Sequence, residues 1–134
     1  MGAVRAVLFD LDGTLVDTAP DLGGALNQLR SQHGLAPLPL ETIRPQASHG
    51  ARGLIQIGFG LTPEAPDFEP LRQEFLQIYA ANLCRDSCPF PGILELLAAL
   101  EARGLPWGVV TNKPARFTEP LLSLLDLAER ATCV

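Results

Sequence analysis

Val7-Leu8-Phe9-Asp10-Leu11-Asp12-Gly13-Thr14-Leu15-Val16-Asp17-Thr18 sets two carboxylates one residue apart at the end of an apolar run. Ala6 to Phe9 is continuously apolar, the pattern of a parallel strand covered on both faces, so residues 4–10 are predicted as a strand. Ligands of parallel sheets sit at the carboxyl ends of the strands, where Asp10 emerges. A lone Asp at such a place is usually a turn former or a helix cap. A pair followed by Gly13 and Thr14 points to chemistry. Asp10 can hold a hard cation through one oxygen and attack with the other, while Asp12 can carry a proton. The two acids divide that labour if their surroundings separate their proton affinities. Gly13 lets the backbone turn sharply beside an anion, and Thr14 adds a hydroxyl and an amide.

Outward from this stretch, Trp107 to Thr111 (WGVVT) reads as a second strand, which places Thr111 at another strand end. It follows the helical pattern GILELLAALEARG, with Ile93, Leu96, Leu97 and Leu100 at helical spacing and Gly104 as the stop. Pro114 opens another helix, with Phe117, Leu121, Leu124 and Leu125 on one face. Strand, helix, strand, helix at this spacing predicts an α/β fold with a doubly wound, Rossmann-like parallel sheet. Between its two parts, residues 1–16 and 88–134, lies an insert over 17–87 without a strand signal. Leu22, Ala25, Leu26 and Leu29 mark one helix there. Phe68, Leu71, Phe75, Ile78 and Tyr79 mark another, a shorter one covers Ala51 to Ile57, and prolines punctuate the gaps. The insert reads as an α-helical cap on the sheet.

Composition narrows the function classes. The chain has 134 residues, 47% hydrophobic and 19% charged, with a net charge of −5, as a globular domain has. Its cations are scattered singly, so no basic stripe is present to track a nucleic acid. No apolar run approaches the ~20 residues of a membrane span. A single Arg5 before a run that ends in acids does not read as a signal peptide. Cys84, Cys88 and Cys133 are an odd count, suited to reduced thiols; with no second Cys/His pair, metal binding by Cys84 and Cys88 is disfavoured. A cytoplasmic, soluble protein is expected.

FDLDGTLVDT resembles the first signature of the haloacid dehalogenase superfamily, and VVTNK resembles the second. The helical insert and TNKPARFTEPLL resemble the phosphoglycolate phosphatase group of that superfamily. Finer similarity in SHGARGLI, PEAPDFEPLRQEFL and LAER points to a subgroup acting on N-acetylmuramic acid 6-phosphate. The resemblance implies a Mg²⁺-dependent phosphatase of small phosphomonoesters, 2-phosphoglycolate or N-acetylmuramic acid 6-phosphate, working through an aspartyl-phosphate. It implies Asp10 as nucleophile and metal ligand, and Asp12 as general acid/base with its carbonyl on the metal. Thr111 and Asn112 would hold phosphoryl oxygens beside Gly13 and Thr14. In the cap, Ser48, His49, Gly50 and Arg52 precede or open a helix, an arrangement suited to an anionic substrate group, with a solvent-exposed turn as the plain alternative. Lys113 joins His49 and Arg52 as a candidate substrate contact.

The superfamily's third signature, with its Lys, and its acidic fourth would follow Val134. Lys113, the only lysine, does not match the third signature, so no lysine is expected to offset the charge at the acids. Residues 1–134 by themselves are therefore expected to be poorly active, and the face through Leu121 and Leu125 to lack cover. Dehalogenation is disfavoured because it needs no acid at position 12. A sugar-phosphate mutase and a non-catalytic binding module stay open. Asp17 is expected to serve a turn or helix start, Trp107 strand packing, and Arg116 a solvated face.

Overall fold

A computed structural model of the chain describes residues 3–134. In chain order its elements are β1 (Val7–Phe9), β2 (Val16–Asp17), α1 (Ala19–Gln32), α2 (Leu40–Ile43), α3 (Gly50–Phe59), α4 (Phe68–Ala81), β3 (Cys88–Pro89), α5 (Ile93–Ala102), β4 (Trp107–Val109) and α6 (Ala115–Leu124). A 3-10 turn, Arg44–His49, leads into α3.

The apolar runs at 7–9 and 107–109 pair as parallel strands, Val7 opposite Trp107, Leu8 opposite Gly108 and Phe9 opposite Val109. The pairing is bounded by Val7 N–H donating to Pro106 O at 3.1 Å and Val110 N–H to Phe9 O at 2.8 Å. On the far side of β4, Thr132 N–H donates to Trp107 O at 2.7 Å and Val109 N–H to Cys133 O at 3.0 Å. Chain therefore runs on both sides of β4, and Gly108 is what lets it come close. A Cβ there would lie 2.6 Å from Cys133 Sγ and 3.3 Å from Leu8 Cδ2.

Leu97 from α5 and Leu121 and Leu122 from α6 share one buried cluster with Trp107, Val109, Leu11 and Leu15. Trp107 serves packing there: its ring meets Phe9 edge-on at 6.1 Å, and its Nε1–H donates to Glu101. Cover on both faces of the sheet is not what these residues show, since Leu8 and Val110 are each 60% exposed. The expectation for α6 also needs correction. Leu121 is fully covered, and Leu122 takes the inward position assigned to Leu124, which is exposed. The helix's actual phase, set by its packing onto the sheet, decides between two adjacent leucines that spacing alone ranks equally.

The second cluster belongs to α1–α4, with Leu26, Leu29, Leu54, Ile55, Phe75 and Tyr79 buried in it. α1 and α3 approach so closely that a Cβ on Gly58 would stand 2.6 Å from Leu26 Cδ1. Phe117 of α6 joins this cluster from the sheet side. The segment 17–87 was expected to lack strands, yet its first residue, Asp17, pairs antiparallel with Cys88, as Val16 does with Pro89. Two residues carry no periodicity, so only the tertiary pairing reveals them.

Next to that ladder, Asp21 in the first turn of α1 ties the two crossings between sheet and helices together. Its carboxylate accepts N–H bonds from Arg85 at 3.0 Å, Asp86 at 3.0 Å and Ser87 at 2.8 Å, and the Ser87 hydroxyl at 2.6 Å. Asp21→Ala leaves these donors without their acceptor. Each unsatisfied buried group costs about 1–3 kcal/mol, so the urea midpoint of the variant should fall by an amount equivalent to at least about 2 kcal/mol. An unchanged midpoint would remove Asp21 from the anchoring role.

Candidate active site

The end of β1 and the end of β4 open into a cleft of about 670 Å³ roofed by α3 and α4, within the range of small-molecule sites. Asp10, Asp12, Thr111, Asn112 and Lys113 line its floor. Ser48, His49, Gly50 and Arg52 line its roof, and so do Arg72 and Tyr79. The parallel register makes the floor: once Phe9 lies opposite Val109, the residues that follow each strand leave the sheet side by side.

Asp10 is exposed to the cleft, and its Oδ1 accepts the Leu11 N–H at 2.8 Å. One carboxylate oxygen is thus fixed by the backbone, and the other carries no bond among the described residues. Asp12 is only 8% exposed. Its Oδ1 accepts two bonds, from the Thr18 hydroxyl at 2.7 Å and from Lys113 Nζ at 3.0 Å. Thr18 stands at the N-cap position of α1 but makes no side-chain cap bond there. A Thr hydroxyl at that position ordinarily stabilises the helix by about 1 kcal/mol. Here it is given to the acid.

The expectation that no lysine offsets the charge at the acids is overturned. Lys113 is 101 residues from Asp12 in sequence, a distance that only the pairing of β4 on β1 closes. Its ammonium is nearly buried, donates to the Tyr79 hydroxyl at 2.6 Å and lies 4.5 Å from the centre of the Tyr79 ring. Burial pushes the Lys113 pKa below the ordinary lysine value, and the neighbouring Asp12 opposes that shift. The loop that carries Lys113 is braced: Thr111 Oγ1 accepts the Lys113 N–H at 3.1 Å, and Thr118 Oγ1 donates to Lys113 O at 3.1 Å.

Gly13 and Thr14 are not where an anion would meet them. The Gly13 N–H donates to Val16 O at 3.0 Å and the Thr14 N–H to Leu11 O at 3.2 Å, so both amides are used within the turn. Neither residue lines the cleft. Gly13 is required for the turn itself, at φ 81°. Asp17 pairs with Arg44. Arg116 is exposed and lies 4.7 Å over the Phe117 ring. The reading from sequence placed Tyr79 in the helix core and passed over Arg72. Arg72, Phe75, Leu76 and Tyr79 all line the cleft and stand at i, i+3, i+4 and i+7 on α4. A single Arg on an otherwise apolar stripe was the available signal.

The sequence profile of the haloacid dehalogenase-like hydrolase family matches residues 4–134. The chain belongs to that family. It is 51% identical over 128 residues to an N-acetylmuramic acid 6-phosphate phosphatase of Pseudomonas aeruginosa, covering 96% of this chain and 57% of the relative. It is 42% identical over 125 residues to a phosphoglycolate phosphatase of Caulobacter vibrioides, covering 91% of this chain and 53% of the relative. The chain thus spans a little over half the length of the curated relatives it matches. A solved structure of a haloacid dehalogenase-like family hydrolase from Streptococcus pneumoniae superposes with a TM-score of 0.82 at 22% identity, over 99% of this chain and 61% of that one. That likeness shows the shared α/β fold.

The Asp10 carboxylate, open to the cleft, is a hard oxygen donor of the kind a divalent cation takes. Among the described residues no group of three or more His, Cys, Asp or Glu could hold a metal. Such a donor set fits Mg²⁺, which is commonly held by one or two carboxylates together with waters and substrate phosphate rather than by an all-protein cage.

Tyr79 offers a pH test of the arrangement. Burial first, then the charges of Asp12 and Asp21, push its phenol well above the ordinary tyrosine value. A folded pKa above the unfolded one means stability is complete below about pH 10 and is lost as pH rises further, because the unfolded chain releases its proton first. Tyr79 is the only tyrosine. Tyrosinate absorbance should therefore appear only together with unfolding; its appearance near pH 10 in the folded chain would contradict the burial.

Proposed function

We propose that this chain carries the nucleophile and the general acid/base of a Mg²⁺-dependent phosphomonoesterase working through an aspartyl-phosphate. The observation that supports it best is the pair of unlike acids at one strand end: Asp10 open to the cleft, Asp12 buried and held by two donors. In this reading the free oxygen of Asp10 attacks phosphorus while the bond to the leaving oxygen breaks. Asp12 gives that oxygen its proton. Water then attacks the aspartyl-phosphate, Asp12 takes the proton released, and phosphate leaves with Asp10 restored. Splitting one hard displacement into two is the gain from a covalent intermediate. With Oδ1 of Asp12 engaged by Thr18 and Lys113, the proton is handled at Oδ2. Bound Mg²⁺, held by Asp10 and the Asp12 carbonyl, would offset charge on the phosphoryl oxygens. Asn112, Thr111 and Lys113 stand beside the same place and would hold those oxygens.

The relatives' names favour 2-phosphoglycolate or N-acetylmuramic acid 6-phosphate as substrate. Both carry a carboxylate besides the phosphate, and His49 and Arg52 in the roof are the groups to read it. A sugar-phosphate mutase would use the same two acids; release of inorganic phosphate separates the two activities.

Aryl phosphate hydrolysis with Mg²⁺ tests the reading. In a complete version of the enzyme, Asp10→Asn should abolish turnover and leave the fold intact, since an amide is a poor nucleophile and a poor ligand. Asp12→Asn should slow it by about 10²–10⁴-fold, less for the phosphorylation step when the leaving group is good. Equal loss in that step for good and poor leaving groups would exclude Asp12 as the acid. Arg52→Ala should raise KM for the carboxylate-bearing esters more than for a neutral one, and an unchanged preference would return Arg52 to a solvated role.

A further inference from the structure

The buried acid is held directly from two places, by Thr18 and by Lys113 on the loop after β4. Thr18 begins α1, and Tyr79 stands in the last turns of α4. Tyr79 does not touch Asp12 itself; Lys113 lies between them, 2.6 Å from the phenol oxygen and 3.0 Å from Asp12 Oδ1. The Lys113 side chain is 6% exposed, so water does not compete freely for either bond. The ring of Tyr79 is itself fixed, stacked parallel on Phe75 at 6.2 Å and tilted against Phe117 at 5.5 Å. An ammonium on a flexible four-carbon stem has little directional preference of its own. Its place is set by what it donates to.

We propose that Tyr79 is a positioning residue: through Lys113 it fixes the Asp12 carboxylate, so that the seating of α4 over the cleft is transmitted to the acid on the sheet. A shift of α4 that withdraws the phenol removes one of the two acceptors of Lys113. The ammonium is then free to leave Asp12, and Thr18 alone holds Oδ1. The coupling runs through a contiguous set of hydrogen bonds from the phenol through the ammonium to the carboxylate. It deepens the phosphatase reading, because positioning Asp12 matters to turnover only if Asp12 handles the proton.

Lys113 and Tyr79 are the only lysine and the only tyrosine of the chain, which makes the network readable without substrate or turnover. With ¹⁵N-lysine labelling, the folded chain should give a single side-chain ammonium signal in slow exchange with water. Tyr79→Phe keeps the ring and removes the hydroxyl. It should speed that exchange by about tenfold or more, the equivalent of one hydrogen bond to a charged group. It should also move the ¹³C carboxyl signal of Asp12, which Tyr79 does not contact. In a Lys113→Met background the same Tyr79→Phe change should leave the Asp12 signal in place. Should Tyr79→Phe disturb the fold, seen in the near-ultraviolet dichroism of Trp107, Asp12→Asn probes the network from the other end and should likewise speed ammonium exchange. An ammonium signal indifferent to both variants, or an Asp12 signal that Tyr79→Phe moves equally with and without Lys113, would overturn the proposal. Neither result depends on whether the chain hydrolyses a phosphate ester, so a failed assay and a failed coupling are distinguishable.

Discussion

The parallel register of β1 on β4 is the constraint from which the rest of the cleft follows. With Phe9 opposite Val109 and the Val110 N–H on Phe9 O, Asp10 and Thr111 leave the sheet as neighbours. A parallel pair cannot be joined by a tight turn, so its connection must be long. Here that connection includes the five helices α1–α5 and a two-residue ladder, β2 on β3. The same register brings Lys113 back across the chain to Asp12. A slip by one residue would exchange the faces of every strand side chain and part these groups together.

A second constraint is where the helical segment is tied to the sheet. Asp21 accepts backbone N–H bonds at Arg85, Asp86 and Ser87, which clamps the outgoing and returning crossings to each other. Phe117 contributes to the helical cluster from α6, and Tyr79 reaches Lys113 from α4. The helices and the sheet are therefore tied by specific contacts at two places, the Asp21 clamp and the Tyr79–Lys113 bond at the cleft. This is an economical arrangement for a site whose floor comes from one part and whose roof comes from another.

Where the reading from sequence failed, one physical cause recurs. Gly13 and Thr14 lie next to the acids in sequence, yet their amides are taken up by the turn that aims those acids. Lys113 is read from sequence as a substrate contact that matches no lysine signature, yet it stands on Asp12. Leu122 replaced Leu124 in the core of α6 for want of a phase that only packing supplies. Tyr79 was read as a core aromatic, and its ring is indeed buried; its hydroxyl was the part that mattered. In each case the missing quantity was the direction of a group, which spacing along the chain does not encode.

What the sequence alone determined is the class of fold, the extents of the long helices and the two acids. These are legible because burial imposes a period on each element, and because the pair of acids follows directly on a continuously apolar run. The tertiary structure decided which donors hold Asp12, which side of α4 faces the cleft and which amides remain free. Those are outcomes of pairing groups up to 101 residues apart. Local pattern constrains each partner separately, and only the folded register brings them within the 3 Å or so over which a hydrogen bond acts.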